Sequence, residues 1–417
     1  MLCYIILCSN MINLFNKKRI YLDYASSCPI DKRVSFVMRE TNSLYANPNS
    51  IHTLGVRVRE KIEESREKIA RIINAHSDEI FFTGSGTESD ALAILGTIEY
   101  FRSINGNIIP HIITSTIEHP AVLENCKLLE EKKEVEVTYI NPDKDGIINP
   151  KDIKDVIKDN TILVSIMYAN NEIGTIQKIE EIAKEIRHYK KHNNKTFPIF
   201  HTDACQALNY LFISNIEKLG VDMMSFNGAK IYGPKGIGVL YKKRNINISP
   251  IYKGGGQEMG LRSGTENVSS IVGLAKALEI TELIKEKESK RLIQIRNYFI
   301  NNINYIREKT GYKIILNGDK DARLPNNINI SVLGISSELL VVELDAMGIE
   351  VSEKSACHSS DENSSYVIKA IRKTCSKNKE EGSVRISLGR GTKKMDIDYL
   401  ISSLIKILNK YKNFKKS

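Results

Sequence analysis

The stretch FNGAKIYGPKGIG, Phe226–Gly238, sets two lysines among glycines, directly after the short apolar run VDMMSF (221–226). An apolar run of that length bounded by Gly and Pro reads as a buried strand. Lysine is mostly exposed in folded proteins, so the plain reading of Lys230 is a solvated turn. The other reading is an amine placed at a strand's carboxyl end for covalent chemistry. The stretch by itself leaves both open.

Working outward, residues 56 to about 240 alternate helical and strand patterns. Val56–Ile73, Glu88–Tyr100 and Ile179–Tyr189 carry apolar residues at helical spacing. Between them lie EIFFT (79–83), HIITS (111–115), VEVTYI (135–140), TILVSIMY (161–168), FPIFHTD (197–203) and IGVLYK (237–242). Several of these runs are apolar throughout, as strands covered on both faces are. The alternation predicts a doubly wound, mostly parallel α/β sheet with ligands at the carboxyl ends of its strands. A long charged helical stretch, about 268–308, then interrupts the pattern. YKIILN, NNINISV, a helix at 337–347, VRISLG (384–389) and a helix near 396–411 follow, which reads as a smaller α+β domain. The expected division is an extension at 1–19, a large domain at 31–280, and a small domain built from 20–30 and 281–417.

The chain has 417 residues, 41% hydrophobic and 26% charged, with net charge +10. That balance is ordinary for a globular protein. Acids and bases are mixed along the helices, as in EKIEESREKIARII (60–73), which reads as a solvated face and not as a nucleic-acid surface. Seven dispersed cysteines without CxxC spacing argue against a disulfide framework and against a zinc site, so no metal is expected. The apolar run near the start is too short to span a bilayer, and its positive charges follow it, the reverse of a secretory signal. A cytoplasmic protein without membrane association is expected; an organellar leader would want more Arg-rich amphipathic character.

The residues just past each expected strand carry the chemistry. After EIFFT comes GSGTESD (84–90), a glycine-rich helix start suited to an anion. After HIITS comes His119, after TILVSIMY comes ANNEIG (169–174), after FPIFHTD the acid Asp203 and Gln206, and after VDMMSF comes Lys230. Singly these are a helix start, a bystander histidine, a helix cap and a turn lysine. Together, an anion cradle, a His, an amide, an acid and a lysine on one sheet edge suit pyridoxal 5'-phosphate, which needs each of them.

With those residues in place, the sequence resembles the cysteine desulfurases of the class V aminotransferase group, pyridoxal phosphate enzymes of fold type I that take sulfur from L-cysteine. The resemblance runs from YLDYASSCP (21–29) to VRISLGRGT (384–392), through NPNSIHTLG, GSGTESDALA, EHPAVL, VSIMYANNEIGTIQ, HTDACQAL, MMSFNGAKIYGPKGIGVLY, GGGQEMGLRSGTEN and SACHSS. It implies Lys230 as the residue that bonds the cofactor and later moves protons at the substrate. It implies Asp203 on the ring nitrogen, His119 stacked on the ring, Gln206 on the ring hydroxyl and Asn171 near ring and substrate. Gly86 and Thr87 would hold the phosphate, with Thr265 from a second subunit of a homodimer, and Arg385 would take the substrate carboxylate. Cys357 would be the nucleophile that accepts sulfur as a persulfide, beside Lys354 and His358. The eight residues between Cys357 and Tyr366 resemble the long-loop members that hand sulfur to acceptor or Fe–S scaffold proteins, for cluster assembly or tRNA thiolation.

The chain also departs from that group. Where it usually has Ser-x-His-Lys, with Ser and His on the phosphate, this chain has Asn227 and Ala229, and Cys28 stands where a threonine is common. Asn227 keeps an amide that can donate; Ala229 has no side-chain donor. No motif position claims Lys235, which reads as a turn lysine. Two rivals stand beside this reading: a selenocysteine lyase or other class V enzyme, and a degenerate homologue serving as a non-catalytic scaffold.

Overall fold

The computed structural model describes residues 19–106, 108–213, 215–353, 365–372 and 383–414. Seven strands form the main sheet: β2 (Ile80–Thr83), β3 (His111–Ser115), β4 (Glu136–Ile140), β5 (Thr161–Ser165), β6 (Ile199–Asp203), β7 (Met223–Asn227) and β8 (Gly238–Lys242), after the short β1 (Ile20–Tyr21). Their order is β2-β8-β7-β6-β5-β3-β4. All neighbours are parallel except β8, which runs antiparallel to both β7 and β2. Apart from the edge strand β4, the strands are buried along nearly their whole length because helices cover both faces, which explains their lack of polar alternation.

A three-stranded antiparallel sheet joins β9 (Ile314–Leu316), β10 (Asn327–Val332) and β12 (Val384–Ser387), and β11 (Ile349–Glu350) pairs in parallel with β1. The N-terminal segment thus crosses to residues more than 300 positions away before the main sheet begins. The helix Val268–Asn301 is about 51 Å long at 1.5 Å per residue and packs on the helices Lys32–Thr41 and Thr53–Ile73.

Two sequence expectations are adjusted. The run 161–168 is a strand only to Ser165, because β3 has already turned at Thr116. Ile166 and Tyr168 go on pairing with β6 alone, through His201 O and Asp203 O. The stretch 268–308 is two helices, broken at Asn302, with Ile303–Thr310 as the second.

A third adjustment concerns the charges of 60–73. Arg66 lies within that stretch and is buried, paired bidentately with the buried Glu258 at 2.8 Å on both arms. The pair closes the open edge of β2. Phe82 N–H donates to Glu258 Oε2 at 2.7 Å, and Arg66 Nη1 donates to Ile80 O at 2.5 Å. Two side chains therefore satisfy backbone groups that an eighth strand would otherwise claim. Removing one partner leaves the other as an uncompensated buried charge. Glu258→Ala is expected to cost about 3–5 kcal/mol in denaturant unfolding, a loss that persists at high salt because the pair is buried. A loss below about 1 kcal/mol would put the pair in the class of surface ion pairs instead.

Candidate active site

The carboxyl ends of β3, β5, β6 and β7 and the β2 turn surround a cavity of about 270 Å³. Its lining includes Gly86, Thr87, His119, Asn171, Asp203, Gln206, Asn227, Lys230 and Arg385. These sequence-predicted residues come from loops up to 299 positions apart, and the sheet gathers them.

The anion cradle forms where Ser85 caps the helix Gly86–Asn105, its Oγ accepting from Glu88 N at 3.1 Å. Glu88 in turn accepts from Gly84 N at 2.6 Å and from Arg262 Nε at 2.7 Å, which fixes the turn. Gly86 is obligatory: a Cβ there would lie 2.8 Å from both Asn227 Nδ2 and Cys205 Sγ. The free N–H groups and dipole of this 20-residue helix suit a phosphate.

On the floor, Asp203 ends β6, and its Oδ1 accepts from Cys205 N at 2.8 Å. Behind it lies a second carboxyl, Asp90, which follows Gly86 by one helical turn. Asp90 is buried, and its Oδ1 has no hydrogen-bond partner in the structure. Burial, then the nearby Asp203 charge, pushes its pKa well above the carboxylate range. His201 stands 3.6 Å from that oxygen, its ring between Ser165 and Ser225 at 2.9 Å each. Burial pulls its pKa down to about 4, so the ring is neutral.

His119 caps the helix Pro120–Glu131, its Nδ1 accepting from Ala121 N at 3.1 Å, which assigns the neutral ring's proton to Nε2. The adjacent Glu118 carboxyl is fully buried, raised to about 8 by desolvation, and anchored by Ser115 and by Met167 N.

Lys230 follows β7 in a single 3-10 turn that Asn227 caps, Asn227 Oδ1 accepting from Lys230 N at 3.2 Å. Its amine donates to two main-chain carbonyls, Ala25 O at 2.8 Å and Ser26 O at 2.6 Å. Desolvation lowers its pKa, which enlarges the neutral, nucleophilic fraction of the amine. Gln206 Nε2 donates to the same Ala25 carbonyl at 2.8 Å.

Arg385, from the centre of β12, forms the far wall. Its guanidinium binds Asp23 Oδ1 at 2.8 Å, Ser26 Oγ at 2.5 Å and Asn171 O at 3.1 Å, while Nε has no partner. The Asn171 loop is tied to the small sheet as well: Asn327 and Asn329 both donate to Glu172 O at 3.1 Å, and Ser365 donates to Glu172 Oε2 at 2.5 Å.

Among the described residues, the structure does not bring one predicted residue together with these. Thr265 is exposed and does not line this chain's cavity. Cys357, with Lys354 and His358, lies outside the described residues. Among the lining residues given no role in the sequence are Asp90, Cys205, Ser26 and Lys235. Asp90 was discoverable, being i+4 from Gly86 on one helix face. Cys205 and Ser26 carried no such signal. Lys235, read as a turn lysine, is exposed yet lines the cavity mouth. Among the described residues no cluster of three or more His, Cys, Asp or Glu could hold a metal ion, and no helix is long and apolar enough to cross a membrane.

The donor set suits pyridoxal phosphate in kind. A helix start fits its phosphate, a buried acid its ring nitrogen and a desolvated amine its aldehyde. Asn171 Oδ1 and Arg385 Nε, both buried without partners among the described residues, remain for a ligand.

Comparison with known proteins points the same way. Cysteine desulfurase IscS of Dictyoglomus turgidum is 43% identical over 94% of this chain and 95% of its own length. Among solved structures, a NifS-like protein superposes with a TM-score of 0.83 at 32% identity, covering 94% of this chain and 99% of its own. SspA in complex with cysteine superposes with a TM-score of 0.74 at 33% identity, covering 89% and 99%. The family pattern described as Aminotransferase class-V matches residues 20–400, and the chain belongs to that family.

Proposed function

We propose that this chain is a pyridoxal-phosphate-dependent cysteine desulfurase. It converts L-cysteine to L-alanine and holds the sulfur as a persulfide on Cys357 for a protein acceptor, in iron–sulfur cluster assembly or tRNA thiolation. The observation that carries the reading is the desolvated Lys230 amine at the end of β7, lining one cavity with Asp203, His119 and the Gly86 helix start. The relatives named above support the substrate, as does a solved neighbour in complex with cysteine.

Bound pyridoxal phosphate supplies an electron sink for the bonds at the substrate α-carbon. Gly86, Thr87 and Asn227 would hold its phosphate, Asp203 its ring nitrogen, Gln206 its ring hydroxyl, Lys230 its aldehyde carbon, and His119 and Asn171 its face. Lys230, its pKa lowered by desolvation, moves a proton at the substrate α-carbon. Arg385 orients the substrate carboxylate, where a planar fork matches a planar anion. The Cys357 thiolate attacks the substrate sulfur. A sulfur–sulfur bond forms as the Cβ–S bond breaks, the carbon keeps the bonding pair and then takes a proton, and alanine leaves.

A non-catalytic scaffold would have no need to keep Lys230, Asp203, His119 and Arg385 around one cavity. Thr265, exposed in this chain, fits a homodimer in which it serves the other subunit's cavity. The division into a large domain (31–280) and a small one (20–30 with 281–417) belongs to the same proposal.

Purified protein given L-cysteine and a reductant is expected to release alanine and sulfide in equal amounts. A run beside L-selenocysteine tests the lyase alternative, which a strong preference for selenium would favour. Lys230→Ala should lose the visible absorbance of bound cofactor, and a wild type that stays colourless with added cofactor would sink the reading. Cys357→Ala should still bind L-cysteine while sulfide release nearly stops; unchanged turnover would exclude Cys357. Arg385→Lys, which keeps the charge and loses the fork, should raise KM for L-cysteine by about tenfold or more. An unchanged KM would move the carboxylate elsewhere.

A further inference from the structure

Resting on the pyridoxal phosphate reading above, we propose that Lys235 is a phosphate-binding residue of this chain, supplying positive charge beside the Gly86 helix start where Ala229 supplies none.

The strand pairing places it. β2 and β8 pair with Thr83 opposite Gly238, so the turn after Thr83 and the turn before Gly238 leave the sheet side by side. They are in contact, since a Cβ on Gly238 would lie 2.4 Å from Ser85 O. Lys235 and Gly236 accordingly line the same cavity as Ser85, Gly86 and Thr87.

The charges point to the same residue. Three cationic side chains line the cavity: Lys230, Lys235 and Arg385. Lys230 is held by Ala25 O and Ser26 O, and Arg385 is paired with Asp23 on the opposite wall. Lys235 alone of the three makes no hydrogen bond or ion pair among the described residues. A phosphate monoester carries a charge of roughly −1.5 to −2 at neutral pH, and a helix start offers only about +0.5. Asp203 brings a further acid into the lining. Asn227 gives one amide N–H to Cys205 Sγ at 3.3 Å and accepts from Lys230 N on its Oδ1, which leaves one uncharged N–H for the phosphate. Ala229 faces the cavity without a polar atom in its side chain. A lysine answers that shortfall of positive charge, being a point charge on a flexible stem that reaches from an exposed turn.

The test titrates apoprotein with pyridoxal phosphate and, separately, with pyridoxal, which has the same ring and aldehyde but no phosphate. Lys235→Met is expected to raise Kd for pyridoxal phosphate about 10- to 100-fold, as loss of a charge-assisted bond does, and to leave Kd for pyridoxal unchanged. Lys235→Arg should stay near wild type, and adding Ala229→His to Lys235→Met should recover most of the loss. An unchanged Kd for pyridoxal phosphate in Lys235→Met would return Lys235 to the status of a solvated turn residue. An equal rise for both ligands would make its role structural and overturn the proposal. Failure of wild-type apoprotein to take up pyridoxal phosphate at all would strike the cofactor reading itself, and this inference with it.

Discussion

The site depends on how one lysine amine is held. Among the described residues Lys230 makes no ion pair; it is held by the dipoles of two successive carbonyls, Ala25 and Ser26. A full counter-charge would stabilise the ammonium and raise its pKa, whereas here desolvation lowers it. The segment around those carbonyls is consequently a structural centre despite having little regular structure. Cys28 N donates to Ala229 O, Asp31 N to Tyr232 O, and the Asp23 carboxylate accepts from Arg385. The amine, the guanidinium and the turn after β7 share one thread of chain.

That thread makes the two sheets interdependent. β1 pairs with β11, and Ala25 N donates to Ser387 Oγ in β12, so the carbonyls that hold Lys230 are positioned from the small sheet. The wall loop is held in the same manner. Glu172 receives Asn327, Asn329 and Ser365, while Tyr366 donates to Glu118 O at 2.6 Å, next to His119. Residues just beyond the Cys357 segment thus touch both loops that carry Asn171 and His119.

Much of this was legible in the sequence, for a definite reason. His119, Asp203 and Lys230 each follow a continuous apolar run, and parallel strands send such residues to one edge. The register that brings Asp203 opposite Ser225 needed only strand boundaries accurate to a residue or two. The unread residues obey other rules. Cys205 and Lys235 reach the cavity through turn geometry, which periodicity does not encode. Arg66 looked like one more charge on a solvated helix, because its partner Glu258 is 192 positions away and only the fold brings them together. Ser26 sits in a segment whose role depends on both sheets at once, and no local pattern marks it.

The Arg66–Glu258 plug has a consequence for how copies of this chain behave toward one another. An uncovered β2 edge would offer Ile80 and Phe82 as a template for another chain's strand. The plug is carried on the loop that also bears Arg262, whose grip on Glu88 fixes the turn of the anion cradle. Edge protection and the shape of the anion cradle therefore share one loop. A chain that lets this loop go loses its anion cradle and bares its sticky edge together.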